Sequence, residues 1–215
     1  MRTDLVKGKF TPLGRQLEKM RRWSQLYGWG ITSVQFDKAV RSKPEWPEGR
    51  LVAVSLVAYL HPARGKSSLQ RSFDAYSTVI ARKRAFAGRD SLLGGGEHRL
   101  RLIDGIKIEP CLRWVVIDLE ANCNQAPLDV RDPNTSPHIE MFATVALHTH
   151  WANRLGKRGI PHVHFSGLQV NARCTGDWQG VPSAVGLPNI GRYQLNVEWE
   201  QTVLPGYAVP VLVKS

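Results

Sequence analysis

Asn134-Thr-Ser-Pro-His-Ile-Glu-Met-Phe-Ala-Thr-Val-Ala-Leu-His-Thr-His-Trp-Ala-Asn-Arg-Leu155 is the clearest helix signal in the chain, and Ile160-Pro-His-Val-His-Phe-Ser-Gly-Leu-Gln-Val170 follows it closely. Ser136 stands at a cap position, Pro137 in the first turn and Glu140 close behind, which is how helices start. Gly156 and Gly159 are the stop. The second segment is short and rich in Val, Ile and Phe, and reads as a strand. On such a strand His162, His164, Ser166, Leu168 and Val170 share one face, and Val163 and Phe165 point the other way.

Working outward from that helix–strand pair, the same logic yields four more elements upstream. Arg50–Leu60 reads as a buried strand. Ser67–Ala87 reads as a helix capped by Ser67 or Ser68, with Leu69, Phe73, Tyr76 and Ile80 on one face. After the Gly94–Gly96 loop come a strand over His98–Ile108 and another over Leu112–Glu120. The order β-α-β-β-α-β predicts an α+β fold of the ferredoxin-like split βαβ kind. Two extra C-terminal strands, Arg192–Glu200 and Tyr207–Val213, separated by Pro205-Gly206, complete it, and Cys174–Gly191 before them reads as a loop. At the other end, Leu13–Tyr27 predicts a helix with Leu13, Leu17, Met20 and Trp23 as its apolar stripe, ended by Gly28 and Gly30. The Pro-rich stretch Ser42–Gly49 reads as a linker. The expected division is therefore a basic N-terminal helical appendage, 1–49, and an α+β core domain, 50–215.

The chain has 215 residues and a formal charge of +11. Its composition is that of a globular protein, and its longest apolar run, Leu51–Leu60, is too short for a bilayer, so no membrane partner is expected. The N-terminus lacks an apolar signal core, and the three cysteines have no CxxC spacing, which together predict a cytoplasmic protein with reduced thiols. The charge is segregated. Residues 1–113 hold 22 of the 29 Lys and Arg with 10 of the 18 Asp and Glu, and the rest of the chain is close to neutral. An excess confined to half a chain points to a positive face for a polyanion. Arg15, Lys19, Arg21, Arg22, Arg82, Lys83 and Arg84 are the expected phosphate contacts, with Trp23 and Tyr27 as stacking partners for bases. Split βαβ sheets bind single strands on an open face, so RNA or single-stranded DNA is favoured over duplex.

A second constellation points to chemistry. Two imidazoles two apart on a strand can grip one ion, whereas His148 and His150 on a helix diverge. Asp118 and Glu120 share a face at the end of their strand, and in a split βαβ sheet they fall within about two strand spacings, roughly 10 Å, of His162 and His164. Two imidazoles with a carboxylate make a mixed N/O site suited to Mn²⁺, Fe²⁺ or Zn²⁺ and less well to Mg²⁺, and a divalent ion, Mn²⁺ or Mg²⁺, is the expected cofactor.

The stretch Pro161–Asn171 resembles the HxH motif of the HUH endonucleases, the relaxases and rolling-circle initiators. The resemblance implies that His162 and His164 hold a divalent ion which polarises a phosphodiester, and that a tyrosine attacks it. Of the tyrosines, Tyr193 falls in an alternating strand, Tyr59 on a buried strand and Tyr76 on an apolar helix face. Tyr27, at a helix end, is the one expected to be exposed. No phosphate-loop Lys-Ser/Thr follows the glycine run, and no Gly-x-Ser-x-Gly elbow occurs. Val115–Glu120 with its DxE ending is a faint echo of an RNase H-like strand. The sequence therefore predicts a basic nucleic-acid-binding protein. A metal-dependent endonuclease is the alternative from the enzyme class. A structural component of a phage or mobile-element nucleoprotein particle, with protein partners of its own, is the third.

Overall fold

The computed structural model describes residues 11–45, 52–82, 99–148, 155, 160, 162–171, 177–187, 192–203 and 205–213. Its elements in chain order are α1 (Leu13–Tyr27), α2 (Ser33–Arg41), β1 (Val52–Tyr59), α3 (Ser68–Ala81), β2 (Arg99–Leu102), β3 (Cys111–Asp118), α4 (Ile139–Leu147), β4 (His162–His164), β5 (Leu168–Asn171), β6 (Gly180–Leu187), β7 (Arg192–Trp199), β8 (Tyr207–Ala208) and β9 (Val211–Val213). The architecture is mixed α+β, in two sheets. A three-stranded antiparallel sheet has the order β1-β3-β9. A six-stranded sheet has the order β2-β5-β6-β4-β8, with β7 also paired to β6.

This pairing differs from the split βαβ order read from the sequence. That order would place the first strand between the third and fourth strands of one sheet. The antiparallel β1–β3 pair is as that order expects, but β2 and β4, which it would set beside β3 and β1, both lie in the other sheet. The reason is the excursion through β2. After α3 the chain visits the six-stranded sheet, where β2 pairs with β5, and returns to the first sheet running against β1.

The core is organised around α4, whose nine residues are all buried. A helix apolar on every side belongs between layers. On one side Ser55 of β1 meets Thr144 at 2.8 Å. On others, the Phe142 ring makes edge-on contacts at 5.0 Å with Phe73 of α3 and with Phe165, which follows β4. The helix starts later than Ser136. His138 is the N-cap residue, and Glu140 reaches back to accept its N–H at 2.7 Å. Ser136 instead closes the preceding turn, accepting from the Asp132 N–H at 2.9 Å. The other expected cap is where it was read: Ser67 Oγ accepts from the Gln70 N–H at the start of α3.

The N-terminal helices share this core. Leu17, Met20 and Trp23 of α1 and Phe36 and Ala39 of α2 belong to the same buried cluster as Leu56, Tyr76 and Phe142. They also solve a problem at the free edge of β1, whose outward N–H and C=O groups have no neighbouring strand. Gln16 of α1 donates to Val54 O at 2.7 Å and accepts from the Leu56 N–H at 2.9 Å, mimicking a strand partner. From α3, Tyr76 Oη accepts the Ala58 N–H and Ser72 Oγ the Leu60 N–H. Every outward donor along this edge from Leu56 to Leu60 is thus met by a side chain.

Two features of the second sheet bear on function. The strand read as Ile160–Val170 is broken into β4 and β5 by a turn at Ser166-Gly167, and the pairing with β6 shifts across it. The interruption reverses the faces: Leu168 and Val170 join the core with Val163, while His162 and His164 point away from it. A glycine is required at 167, because a Cβ there would lie 2.6 Å from Ser136 O and 2.8 Å from Pro137 O. The second feature is β6, which lies in the middle of the sheet within the stretch read as a loop. Pro182 sits where β4 gives way to the turn, accepting from the Phe165 N–H at 2.8 Å, a position that tolerates a proline.

Candidate functional site

Two regions of the surface and interior carry unexplained chemistry, one on each sheet. The first is a basic cleft of about 530 Å³ between the end of α1, the segment after β1, and α3. Its walls include Tyr27, Trp29, Arg64, Lys66, Arg71 and Asp74. The rim is built by a tight turn in which the backbones of Ala63 and Lys66 exchange two hydrogen bonds, at 3.2 and 3.1 Å. Both central residues are left-handed, Arg64 at φ 53° and Gly65 at φ 75°, the signature of a type I′ turn. Such a backbone is costly for arginine and cheap for glycine, so a cation is held there against local preference. Arg64 and Lys66 are exposed. Arg71 is fixed from behind, donating to His61 O at 2.6 Å and to Gly28 O and Trp29 O at 3.4 Å. Asp74 bonds Lys66 and is the sole acid among the lining residues.

The residues expected to touch nucleic acid are placed unevenly around this cleft. Tyr27 lines it, half-buried, with the Arg82 guanidinium 5.2 Å over its ring and Trp29 stacked at 6.3 Å. Arg82 is exposed and also donates to Tyr27 Oη. Arg15 and Arg22 are exposed on α1, and Arg21 lies 5.3 Å over the Phe36 ring. Two assignments change. Trp23 is 9% exposed and packs its ring on Trp29, so it is a core residue rather than a stacking platform. Lys19 donates to Leu147 O at 3.0 Å, satisfying the C-terminal end of α4, and burial together with Arg15 lowers its pKa. Lys83 and Arg84 lie outside the described residues. Arg64, Lys66 and Arg71 escaped the sequence reading. Arg64-Gly65 between a strand and a helix cap was the one local sign of a turn that would display them.

The second region is the outward face of β4. His162 and Tyr207 are register partners on β4 and β8, and their rings stack at 4.3 Å. His164 meets the same tyrosine edge-on at 4.9 Å and sits opposite Ser183 of β6. Register places Asn196 and Glu198 of β7 on this face too, through Ser183 and Val181. His164 is 0% exposed, and burial and then His162 push its imidazole down to about 4. Burial alone lowers His162 and raises the Glu198 carboxyl. Each group is pushed towards its neutral form. The feature that sets this face apart is its orphaned polar atoms. Both ring nitrogens of His164, Nδ1 of His162 and Oγ of Ser183 are buried without a hydrogen-bond partner. Nothing in the local sequence announces Ser183 or Tyr207, because both arrive by long-range pairing.

Asp118 and Glu120 do not complete a metal centre with these histidines. Asp118 ends β3 in the other sheet, paired with Val52 and Val211, and its Oδ1 accepts the Glu120 N–H at 3.0 Å. Among the described residues no group of three or more His, Cys, Asp and Glu is placed to hold a metal ion. The expected convergence depended on one continuous sheet, and the chain makes two.

Two further polar clusters are closed largely among their own members. His148 Nδ1 accepts from the Thr11 N–H at 3.0 Å, which leaves Nε2 as the protonated nitrogen facing Ser55 Oγ at 3.1 Å. The serine proton then goes to Thr144 Oγ1, which donates in turn to Glu140 O. With Nε2 donating, His148 cannot take the serine proton, so this pair is structural and no hydrolytic couple. At the start of α4, buried Glu140 accepts from Tyr59 Oη, and Arg113 Nη2 donates to the same phenol at 3.2 Å. Arg113 lies 3.7 Å from the carboxylate, giving the buried charge a partner. No family model, curated protein or solved structure matches the chain. Among the described residues no helix is long and apolar enough to cross a membrane.

Proposed function

We propose that the chain binds nucleic acid, RNA or single-stranded DNA, through the cleft between α1, the Ala63–Lys66 turn and α3. The observation that carries this reading is the type I′ turn, which holds Arg64 in a left-handed conformation at the mouth of a cavity walled by Lys66, Arg71 and Tyr27. A cation kept where glycine would be easier is explained by what it contacts, not by stability. Arg82 extends the positive surface beside Tyr27. The cleft is open and irregular, which suits a flexible strand whose phosphates meet guanidinium groups while a base approaches the aromatic wall.

Arg64→Gly separates binding from folding. Glycine relaxes the turn, so the melting temperature is expected to hold or rise, while the cation is lost. In Arg64→Gly with Lys66→Gln, the dependence of log affinity for an oligonucleotide on log salt should flatten by about 1.4, from about 0.7 per phosphate contact on a single strand. An unchanged slope in a folded variant would refute the assignment of the cleft.

A further inference from the structure

We propose that the outward face of β4, bounded by His162, His164, Ser183 and Tyr207, binds a neutral hydrogen-bonding heterocycle of the nucleobase class. This rests on the nucleic-acid reading above for the source of the ligand, and on separate residues for its recognition.

Buried polar atoms almost always have partners, so several orphans gathered in one place mark a site that something else completes. Here the orphans are His164 Nδ1 and Nε2, His162 Nδ1 and Ser183 Oγ, and cross-strand register puts all three side chains on one face. His164 has no exposed surface and Tyr207 has 5%, whereas His162 is half-buried and gives the face its opening to solvent. A neutral imidazole offers one donor and one acceptor, and a serine hydroxyl offers both. That mixed set matches the edge of a base, which also alternates donors and acceptors. It matches a phosphate badly, because a phosphate wants donors and positive charge, and no Lys or Arg is among the register partners of His162, His164 and Ser183 on β6, β7 and β8. The burial that keeps both imidazoles uncharged and lifts the Glu198 carboxyl penalises any charged ligand in the same way. The stacked His162–Tyr207 pair supplies flat aromatic surface at the opening, against which a planar ring gains contact. The two regions would then divide the recognition of one strand, backbone in the basic cleft and a single base on the far sheet, or would take a strand and a free nucleoside separately.

The test titrates the full chain with adenosine, guanosine, cytidine and uridine, read by calorimetry and by thermal shift. One or more should bind with a dissociation constant below the millimolar range, with little change between low and high salt, since no phosphate is involved. His164→Phe and Ser183→Ala should each weaken that binding several-fold, about tenfold for the loss of the better hydrogen bonds. Ser183→Ala removes one small hydroxyl and keeps the test valid if the larger change perturbs folding. No binding by any of the four nucleosides overturns the proposal, as does binding left intact in both variants. A thermal shift produced by Zn²⁺ or Mn²⁺ alone, lost in His164→Phe, overturns it in favour of a metal. Oligonucleotide retention that persists while nucleosides fail sinks this site and spares the cleft; loss of both sinks the two readings together.

Discussion

Acid should loosen this protein before it reaches the range in which carboxylates protonate, and His164 is the main reason. Its imidazole is fully buried beside His162 and Tyr207, and its folded pKa is about 4 against 6.5 unfolded. Between those values the unfolded chain binds a proton that the folded chain refuses, so stability is complete above the unfolded pKa and falls as pH falls towards the folded one. Each pH unit in that window is about 1.4 kcal/mol, so lowering the pH from 7.5 to 4.5 costs about 2.5 kcal/mol at this residue. That is a large part of a typical margin of about 5–15 kcal/mol. His138 and His162 are also lowered, by burial first, and add slope of the same sign. The measurement is urea unfolding of the wild type and of His164→Phe across this pH range, taking the difference in slope. Phenylalanine keeps a ring beside Tyr207 and cannot titrate. The wild type should lose about 2–3 kcal/mol more than the variant on acidification. Parallel pH profiles would refute the burial argument, and a wild type that gains stability in acid would reverse its sign.

Three other substitutions probe the framework. Gln16→Leu leaves Val54 O and the Leu56 N–H unmet at the edge of β1, and should cost about 2–4 kcal/mol in chemical denaturation, more than truncating an exposed residue of α1. Gly167→Ala forces a methyl against Ser136 O and Pro137 O, which are backbone atoms that cannot swing aside, so a loss above about 2 kcal/mol is expected and a neutral result would contradict the close approach. Tyr59→Phe removes a hydrogen bond from buried Glu140 and an acceptor from Arg113, and unfolding should show a loss of about 1–3 kcal/mol.

The parts of the fold legible in the sequence were those written in local periodicity. Leu17, Met20 and Trp23 on α1, and Phe73, Tyr76 and Ile80 on α3, are buried because a 3.6-residue repeat needs no partner to be recognised. β1 was visible as a run of apolar residues, and β7 as an alternation. What escaped was written in pairing. β6 carries two glycines and a proline, which read as loop, yet Gly180 is there because Val170 O and Val197 Cγ1 would each meet its Cβ at 2.8 Å. The local composition reports the crowding and conceals the strand. The turn at Ser166-Gly167 reversed the faces of the histidine strand through a tertiary approach to Ser136 and Pro137 that no local pattern records. For the candidate sites the same division holds. The charge of the first half was readable, and so were the two histidines as a pair sharing a strand face. Arg64 and Ser183 were not, since one depends on a turn's handedness and the other on a partner strand.

The separation of charge along the chain acquires a spatial meaning from the two sheets. The basic half supplies α1, the turn after β1 and α3, which line the cleft, with α1 and α3 also covering the free edge of β1, and the near-neutral half supplies β4 through β9. A cluster of cations destabilises by mutual repulsion, and that repulsion is weakest where water screens it. Arg64, Lys66 and Arg82 are accordingly at the surface, whereas the buried polar residues of the same half, among those described, are Gln16, Ser55 and Ser72, neutral groups spent on hydrogen bonds. In the other half the constraint is inverted. His164 and Ser183 are buried and uncharged, and His164 can be kept there only while it stays neutral. The two regions therefore respond to different variables. Salt should act on the cleft and leave the histidine face alone, whereas acid should act first on the histidine face, so nucleoside binding should follow pH alone and a strand held by both regions should follow both.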